Sequence, residues 1–178
     1  MGKMIIKGIV DEDFVNFKRP VMYIAFPKCS FKCDRENKVQ LCQNCELARQ
    51  PDIEVSELSV VERYLSNPIT EGVVISGLEP FDTPIQLLKF IKAFRAETSE
   101  PIIIYTGYTE DELKNGYFYD HNYDANRALW ETVISYGVIV KFGRFRPGQE
   151  PHYDEVLGVK LISDNQYAKE YIQQKFDF

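Results

Sequence analysis

The chain has 178 residues, 44% hydrophobic and 13% aromatic, enough for one folded domain with a buried core. Its 21 Lys and Arg stand against 27 Asp and Glu, and a net charge of -6 offers phosphate backbones no broad cationic field, which argues against nucleic acid as a partner. No stretch approaches the roughly 20 apolar residues of a membrane helix, and the cysteines are clustered as metal or redox chemistry requires, so a cytoplasmic single domain over 1–178 is expected.

In chain order, Ile5 to Val10 is a short apolar run followed by the acidic turn Asp11-Glu12-Asp13, a strand or hairpin ahead of the main fold. Val21 to Phe26 is almost continuously apolar, as a strand buried on both faces of a parallel sheet must be, and it leads straight into a cysteine loop over 27–45. Ser56 to Leu65 has helical spacing at Leu58, Val61, Tyr64 and Leu65 and stops at Asn67-Pro68. Gly72 to Ser76 is the next buried strand, ending in Gly77-Leu78-Glu79-Pro80. Thr83 as N-cap and Pro84 in the first turn open a helix through Leu87, Leu88, Ile91 and Phe94.

Pro101 to Tyr105 is a third strand, stopping at Thr106-Gly107. A polar, tyrosine-rich piece from Asn115 to Asn126 precedes a helix around Arg127 to Ser135 and a fourth strand, Val138 to Phe142. The closing segment, 156–178, holds a fifth strand over Val156 to Ile162 and a helix from Asp164 to Lys175. Strands alternating with helices predict an α/β fold with a mostly parallel sheet or partial barrel. Ligand chemistry in such folds gathers beyond the carboxyl ends of the strands, so one rim should carry the cysteine loop, Gly77 to Pro80 and Thr106-Gly107.

All four cysteines, Cys29, Cys33, Cys42 and Cys45, lie in the one loop. Thiolate sulfur is the soft ligand that zinc and iron-sulfur clusters select. One reading is a structural zinc site using all four sulfurs, although eight residues between Cys33 and Cys42 is short for a knuckle. The other is an iron-sulfur cluster held by three cysteines, which leaves one iron open to a small molecule. Four unligated thiols grouped this tightly fit least well.

The ordered set of a strand, Cys29-x-x-x-Cys33, Cys42-x-Asn44, Ser76-Gly77-Leu78-Glu79-Pro80 and Tyr105-Thr106-Gly107-Tyr108-Thr109 resembles the radical S-adenosylmethionine superfamily. Within it the chain is similar to the activating proteins of anaerobic ribonucleoside-triphosphate reductase. Gly143-Arg144-Phe145 and Leu157 to Gln166 also resemble that family's closing pattern, so the likeness runs from Tyr23 to Gln166. Two positions depart from it. The family places two residues between its second and third cysteines, where this chain has eight, and Phe142 stands where an acidic residue is common before Gly-x-Phe.

The resemblance implies a partial (β/α) barrel of the radical S-adenosylmethionine type and a 4Fe-4S cluster. Matching Cys42-x-Asn44 to the family's third cysteine makes Cys29, Cys33 and Cys42 the ligands and residues 34–41 an insertion, with Cys45 in place of Cys33 as the alternative. The open iron would chelate S-adenosylmethionine, and reductive cleavage at its sulfonium would yield an adenosyl radical that takes hydrogen from a glycine Cα of a separate reductase. Gly77 would admit the ligand close to the backbone, Glu79 would accept from its ammonium, Thr106 and Gly107 would line the adenosyl pocket, and Asn44 would hydrogen-bond near the cluster or serve as a cap or turn residue.

The implied partners are the large subunit of an anaerobic ribonucleotide reductase and a flavodoxin or ferredoxin reductant. A small-molecule radical enzyme similar to 7-carboxy-7-deazaguanine synthase, or a zinc-stapled binding module, are the alternative functions. Outside these motifs, Tyr117, Phe118, Tyr119 and Tyr123 read as a packed loop or, if exposed, part of a docking surface. His121 and His152 read as solvated side chains, and Lys141, Arg144 and Arg146 as basic residues flanking a strand or meeting an acidic partner.

Overall fold

A strand covered on both faces cannot alternate apolar with polar residues, and four short apolar runs of this kind build the centre of the fold. The computed structural model describes residues 2–42 and 44–174. Gln43, within the Cys42-x-Asn44 match, and Lys175, the end of the expected closing helix, lie outside the described residues.

The elements in order are β1 (Met4–Ile6), β2 (Gly8–Asp13), β3 (Val21–Phe26), α1 (Lys32–Asn37), α2 (Cys45–Arg49), β4 (Ile53–Val55) and α3 (Glu57–Leu65). They continue with β5 (Val73–Gly77), α4 (Pro84–Glu97), β6 (Ile102–Tyr105), α5 (Glu110–Lys114) and α6 (Tyr123–Ser135). The last are β7 (Ile139–Phe142), β8 (His152–Asp154), β9 (Val159–Leu161) and β10 (Tyr167–Glu170).

The main sheet has six strands in the order β10-β7-β6-β5-β3-β2. The inner pairs β3–β5, β5–β6 and β6–β7 are parallel, and antiparallel β2 and β10 form the edges of an open sheet. The class is therefore the expected α/β, with a mostly parallel centre. Two ribbons stand apart from it: β1 with β4, and β8 with β9.

The period of two along each strand divides the sheet into two unlike faces. On one, Met22, Ile24, Ile75, Ile104 and Val140 pack beneath Leu87, Phe90, Phe94 and Trp130 of the helices in the main core. On the other, Val21, Val74, Ile103 and Ile139 are sealed by Phe17, Leu157 and Leu161. Farther along that second face, toward the carboxyl ends, the same register brings Tyr23, Ser76, Tyr105 and Lys141 to the surface of the sheet.

Three expectations are corrected. The closing helix from Asp164 is instead the strand β10, which pairs with β7 and lays Tyr167 against Phe142 with ring centroids 5.3 Å apart. Without that strand β7 would be an unpaired edge, so backbone pairing outweighs the helical spacing. The fifth strand over Val156 to Ile162 is a turn followed by β9 alone, paired with β8 and not with the main sheet. Thr83 precedes α4 but its side chain makes no capping bond; its hydroxyl is turned instead to the Pro80 carbonyl, 3.5 Å away.

Three helices, α3, α5 and α6, begin as capping chemistry requires. The Ser56 hydroxyl accepts from the Ser59 N–H at 3.0 Å at the start of α3. The α6 helix starts at Tyr123, earlier than Arg127, where the Asn122 side chain accepts from the Ala125 N–H.

At the end of β5, Gly77 has φ +88, and a Cβ there would lie 2.7 Å from the Ala25 Cα of β3. Only glycine allows that backbone conformation and that approach together. Gly77→Ala is expected to destabilise the chain by about 2–4 kcal/mol in chemical denaturation. A loss under about 1 kcal/mol would mean that the rim absorbs the methyl group without strain.

Candidate metal centre

The cysteine loop leaves β3 and is held at both ends. Near its start the Glu79 N–H donates to the Lys28 carbonyl at 2.7 Å, and the Ser30 N–H donates to the Asp82 carboxylate. Its far end returns as β4 against β1, with Lys7 paired to Asp52 at 2.8 Å and donating to the Gln50 carbonyl at 2.6 Å.

Between these anchors the eight residues separating Cys33 from Cys42 fold back on themselves. The helix α1 takes up the first of them and ends at Lys38, whose φ is 56. The Asp34 carboxylate oxygen Oδ1 then accepts from both the Leu41 and Cys42 N–H groups, each at 2.8 Å. One carboxylate thus closes the loop and brings Cys42 to the same cavity as Cys33.

That cavity, about 490 Å³, lies over the carboxyl ends of the parallel strands. Its lining includes Cys29, Cys33, Cys42, Asn44, Gly77, Glu79, Thr106 and Gly107. Cys45 is not among the lining residues; it sits in the first turn of α2. The Asn44 side chain does not cap α2 but donates from Nδ2 to the Gly77 carbonyl at 2.6 Å, tying the cysteine loop to the glycine turn.

Glu79 is 6% exposed and braces two strand ends. Its Oε1 accepts from the Phe81 N–H at 3.1 Å and the Thr106 hydroxyl at 2.8 Å, and its Oε2 accepts from the Gly107 N–H at 2.8 Å. Burial, with the neighbouring Asp82 charge, pushes this carboxyl up to about 7, against the pull of the three donors. Burial also pushes the Cys29 thiol up to about 12, opposed by the Phe31 N–H that donates to its sulfur at 3.2 Å, and raises Cys33 and Cys42.

A second tether joins the cysteine loop to Arg144 of the cavity wall. Glu112 receives Arg144 Nη2 at 2.9 Å and also pairs with Lys32 of α1, while Arg144 Nε lies 3.6 Å from Glu36. Burial disfavours the charge on Glu112, yet the hydrogen bonds from Arg144 and Lys32 hold its carboxyl down at about 2.

Arg144 and Lys141 are thus part of the cavity lining and not merely strand flanks. The strand period that puts Tyr105 on the cavity face puts its register partner Lys141 there too, and that signal was available in the sequence. Phe142 points the opposite way and packs at 0% exposure beside Trp130, so an acid at this position would be buried in the main core. Of the aromatic group, Phe118 is in the core, whereas Tyr117, Tyr119 and Tyr123 are exposed.

Among the described residues, no three His, Cys, Asp or Glu side chains form a group that could hold a single metal ion. Cys29, Cys33 and Cys42 instead line one cavity together, and thiolate sulfur is the soft donor that iron-sulfur clusters take. The half-buried thiols would ionise on meeting a cationic centre, which is the usual linkage between metal binding and thiolate formation.

An α/β protein with three cysteines lining one rim cavity has the makings of an iron-sulfur protein. The sequence model of a family described as a 4Fe-4S single cluster domain matches residues 18–155, and the chain belongs to that family. The match spans every cysteine, Gly77, Glu79, Thr106 and Gly107, and ends before β9. No curated protein matches the chain. No helix among the described residues is long and apolar enough to cross a membrane.

Two outcomes follow for the iron-free chain. Because Glu112 has a depressed folded value, its contribution to stability is present above its ordinary 4.5 and disappears as pH falls toward about 2. Glu112→Gln should therefore lose about 2 kcal/mol at neutral pH and show a shallower decline across that acid window in denaturant titrations. Glu79→Gln should lose about 2–3 kcal/mol, since one carboxylate oxygen becomes a donor facing a donor; an unchanged denaturation midpoint would refute the bracing role.

Proposed function

We propose that this chain is a radical S-adenosylmethionine enzyme whose open sheet serves as the partial (β/α) barrel of that class. Its reaction is the generation of a glycyl radical on the large subunit of an anaerobic ribonucleotide reductase. The observation that carries this reading is that Cys29, Cys33 and Cys42 share one cavity with Gly77, Glu79, Thr106 and Gly107. At about 490 Å³ the cavity falls within the span of roughly 300–1,000 Å³ usual for small-molecule and cofactor sites.

Cys29, Cys33 and Cys42 would hold a 4Fe-4S cluster, and three protein ligands would leave it open to S-adenosylmethionine. When bound, these groups supply reductive carbon–sulfur cleavage and hydrogen removal from a glycine Cα. The chain's own part is to bind, orient and exclude water. Gly77 lets the backbone come close to the ligand, and Tyr23, Leu78, Tyr105 and Phe145 supply apolar wall. Glu79 has three of its roughly four acceptor positions in use, which leaves one for the ligand's ammonium group.

A second cavity of about 560 Å³ meets the first at Cys29 and is bordered by Tyr117, Tyr119 and Tyr123. Exposed tyrosines of this kind are enriched at protein interfaces, which suits docking of a large protein substrate. The reductant is a flavodoxin or ferredoxin in this reading.

A second reading, a small-molecule radical enzyme similar to 7-carboxy-7-deazaguanine synthase, is favoured by one observation. Lys141 brings a buried cation to the cavity, and a small anion complements it where a glycine backbone does not.

Anaerobic reconstitution should yield a brown protein with about four irons per chain that releases 5'-deoxyadenosine from S-adenosylmethionine after reduction. Tightly held zinc without cleavage would defeat the reading. Cys33→Ser should lose the cluster and Cys45→Ser should keep it; the reverse would make Cys45 the third ligand. A glycyl radical signal in electron paramagnetic resonance, appearing only when the reductase is added, identifies the protein substrate.

A further inference from the structure

The tyrosine-rich segment between α5 and α6 is held more firmly than a surface loop needs to be. The buried Asn126 amide nitrogen lies 2.5 Å from the Phe118 carbonyl, 3.0 Å from that of Gly116 and 3.2 Å from that of Asp120, so its two N–H bonds are shared among three acceptors. Phe118 is sunk into the core against Phe81. Its neighbour Tyr119 has φ 62, a left-handed conformation that a bulky residue keeps only where its surroundings impose it. The loop so fixed leaves Tyr117, Tyr119 and Tyr123 at 54%, 58% and 42% exposure, with the Tyr117 and Tyr123 rings edge to face at 5.3 Å. Rigidly held, outward tyrosines offer contact area at little cost in entropy, which is the composition of a recognition surface.

Lys28 and Arg35, both exposed, stand on the border of the same second cavity, and among the described residues neither forms an ion pair. Lys32 beside them is spent on Glu112. The two acids of that border hold donors of their own chain: Asp82 accepts from the Ser30 N–H and from the Tyr108 hydroxyl at 2.7 Å, and Asp120 accepts from the Asn122 N–H at 2.9 Å. The groups left unspent are therefore two cations and the Tyr117 and Tyr119 hydroxyls, a set of donors that complements carboxylates.

We propose that this face docks an acidic segment of the protein substrate, with Lys28 and Arg35 meeting its carboxylates and the tyrosines covering its apolar parts. The cavity below it, about 560 Å³, meets the cysteine cavity at Cys29, so a chain gripped here is led toward the cluster site. A target glycine has no side chain to recognise, and its selection has to come from contacts made elsewhere on the partner. That the partner is the reductase rests on the function proposed above, whereas the preference of the face for an acidic segment does not.

The first test uses the full chain with a capped peptide of alternating glutamate and proline as probe and its glutamine counterpart as control, read by amide shifts in nuclear magnetic resonance. The acidic peptide should move amides within 28–36 and 116–123 and should weaken at least about fivefold in Arg35→Glu, while the control binds both chains alike. Tyr119→Gly suits the left-handed backbone, so it should melt close to the native chain and yet bind the acidic peptide several-fold more weakly. Shifts that map elsewhere, or equal affinity in the native chain and Arg35→Glu, overturn the surface.

The second test uses the reconstituted protein and the large subunit of the reductase. Arg35→Glu and Tyr119→Gly should each lower affinity for the subunit about tenfold, while release of 5'-deoxyadenosine without the subunit stays at the native level. Equal affinity in the native chain and both variants overturns the docking role. A native chain that ignores the subunit but takes the acidic peptide at this face defeats the ribonucleotide reductase reading alone. Slower reduction of the cluster by flavodoxin in Arg35→Glu, with subunit binding unaltered, would give the face to the reductant and overturn the assignment to the substrate.

Discussion

The Glu79 carboxylate lies out of water and receives hydrogen bonds from the Phe81 N–H, the Thr106 hydroxyl and the Gly107 N–H. Those donors belong to the turn after β5 and the end of β6, so one side chain sets the distance between two neighbouring strand ends. The cysteine loop is then joined to the same turn by Asn44, which donates to the Gly77 carbonyl, and by the Glu79 N–H, which donates to the Lys28 carbonyl. Burial of a carboxyl is tolerated only with hydrogen bonds of this kind to its oxygens. The rim of the cavity is therefore one hydrogen-bonded unit, and its shape depends on that residue more than on any cysteine.

The cysteine loop solves a separate problem of chain length. Eight residues between Cys33 and Cys42 would ordinarily carry the sulfurs apart, but a single turn of helix takes the chain out and the Asp34 carboxylate draws it back. Spacing in the sequence is a poor guide to spacing in the fold when a side chain closes the loop locally. Ahead of that clamp, Lys32 reaches Glu112 and fastens the loop to α5.

The four parallel strands could be read from the sequence because continuous apolar runs have few other uses in a chain of this size, and the helices α3 and α4 because their apolar spacing is strong. The gathering of Cys29, Cys33, Cys42, Gly77, Glu79, Thr106 and Gly107 followed from one rule, that strand ends share a rim. The closing strand β10 was illegible because Tyr167 to Glu170 is polar and exposed on most positions, and what makes it a strand is the unpaired backbone of β7. The helices α1 and α2 are too short for periodicity to register. Asp34 and Glu112 could not be found in advance either, since their partners lie in distant or irregular segments.

Phe17, Leu157 and Leu161 pack against the amino-terminal half of the face whose carboxyl half floors the cavity. The space over the strands is therefore stopped at that end. A pocket floored by a rigid sheet and stopped at one end has a fixed depth, so the loops around it, and not the strands, decide what it admits.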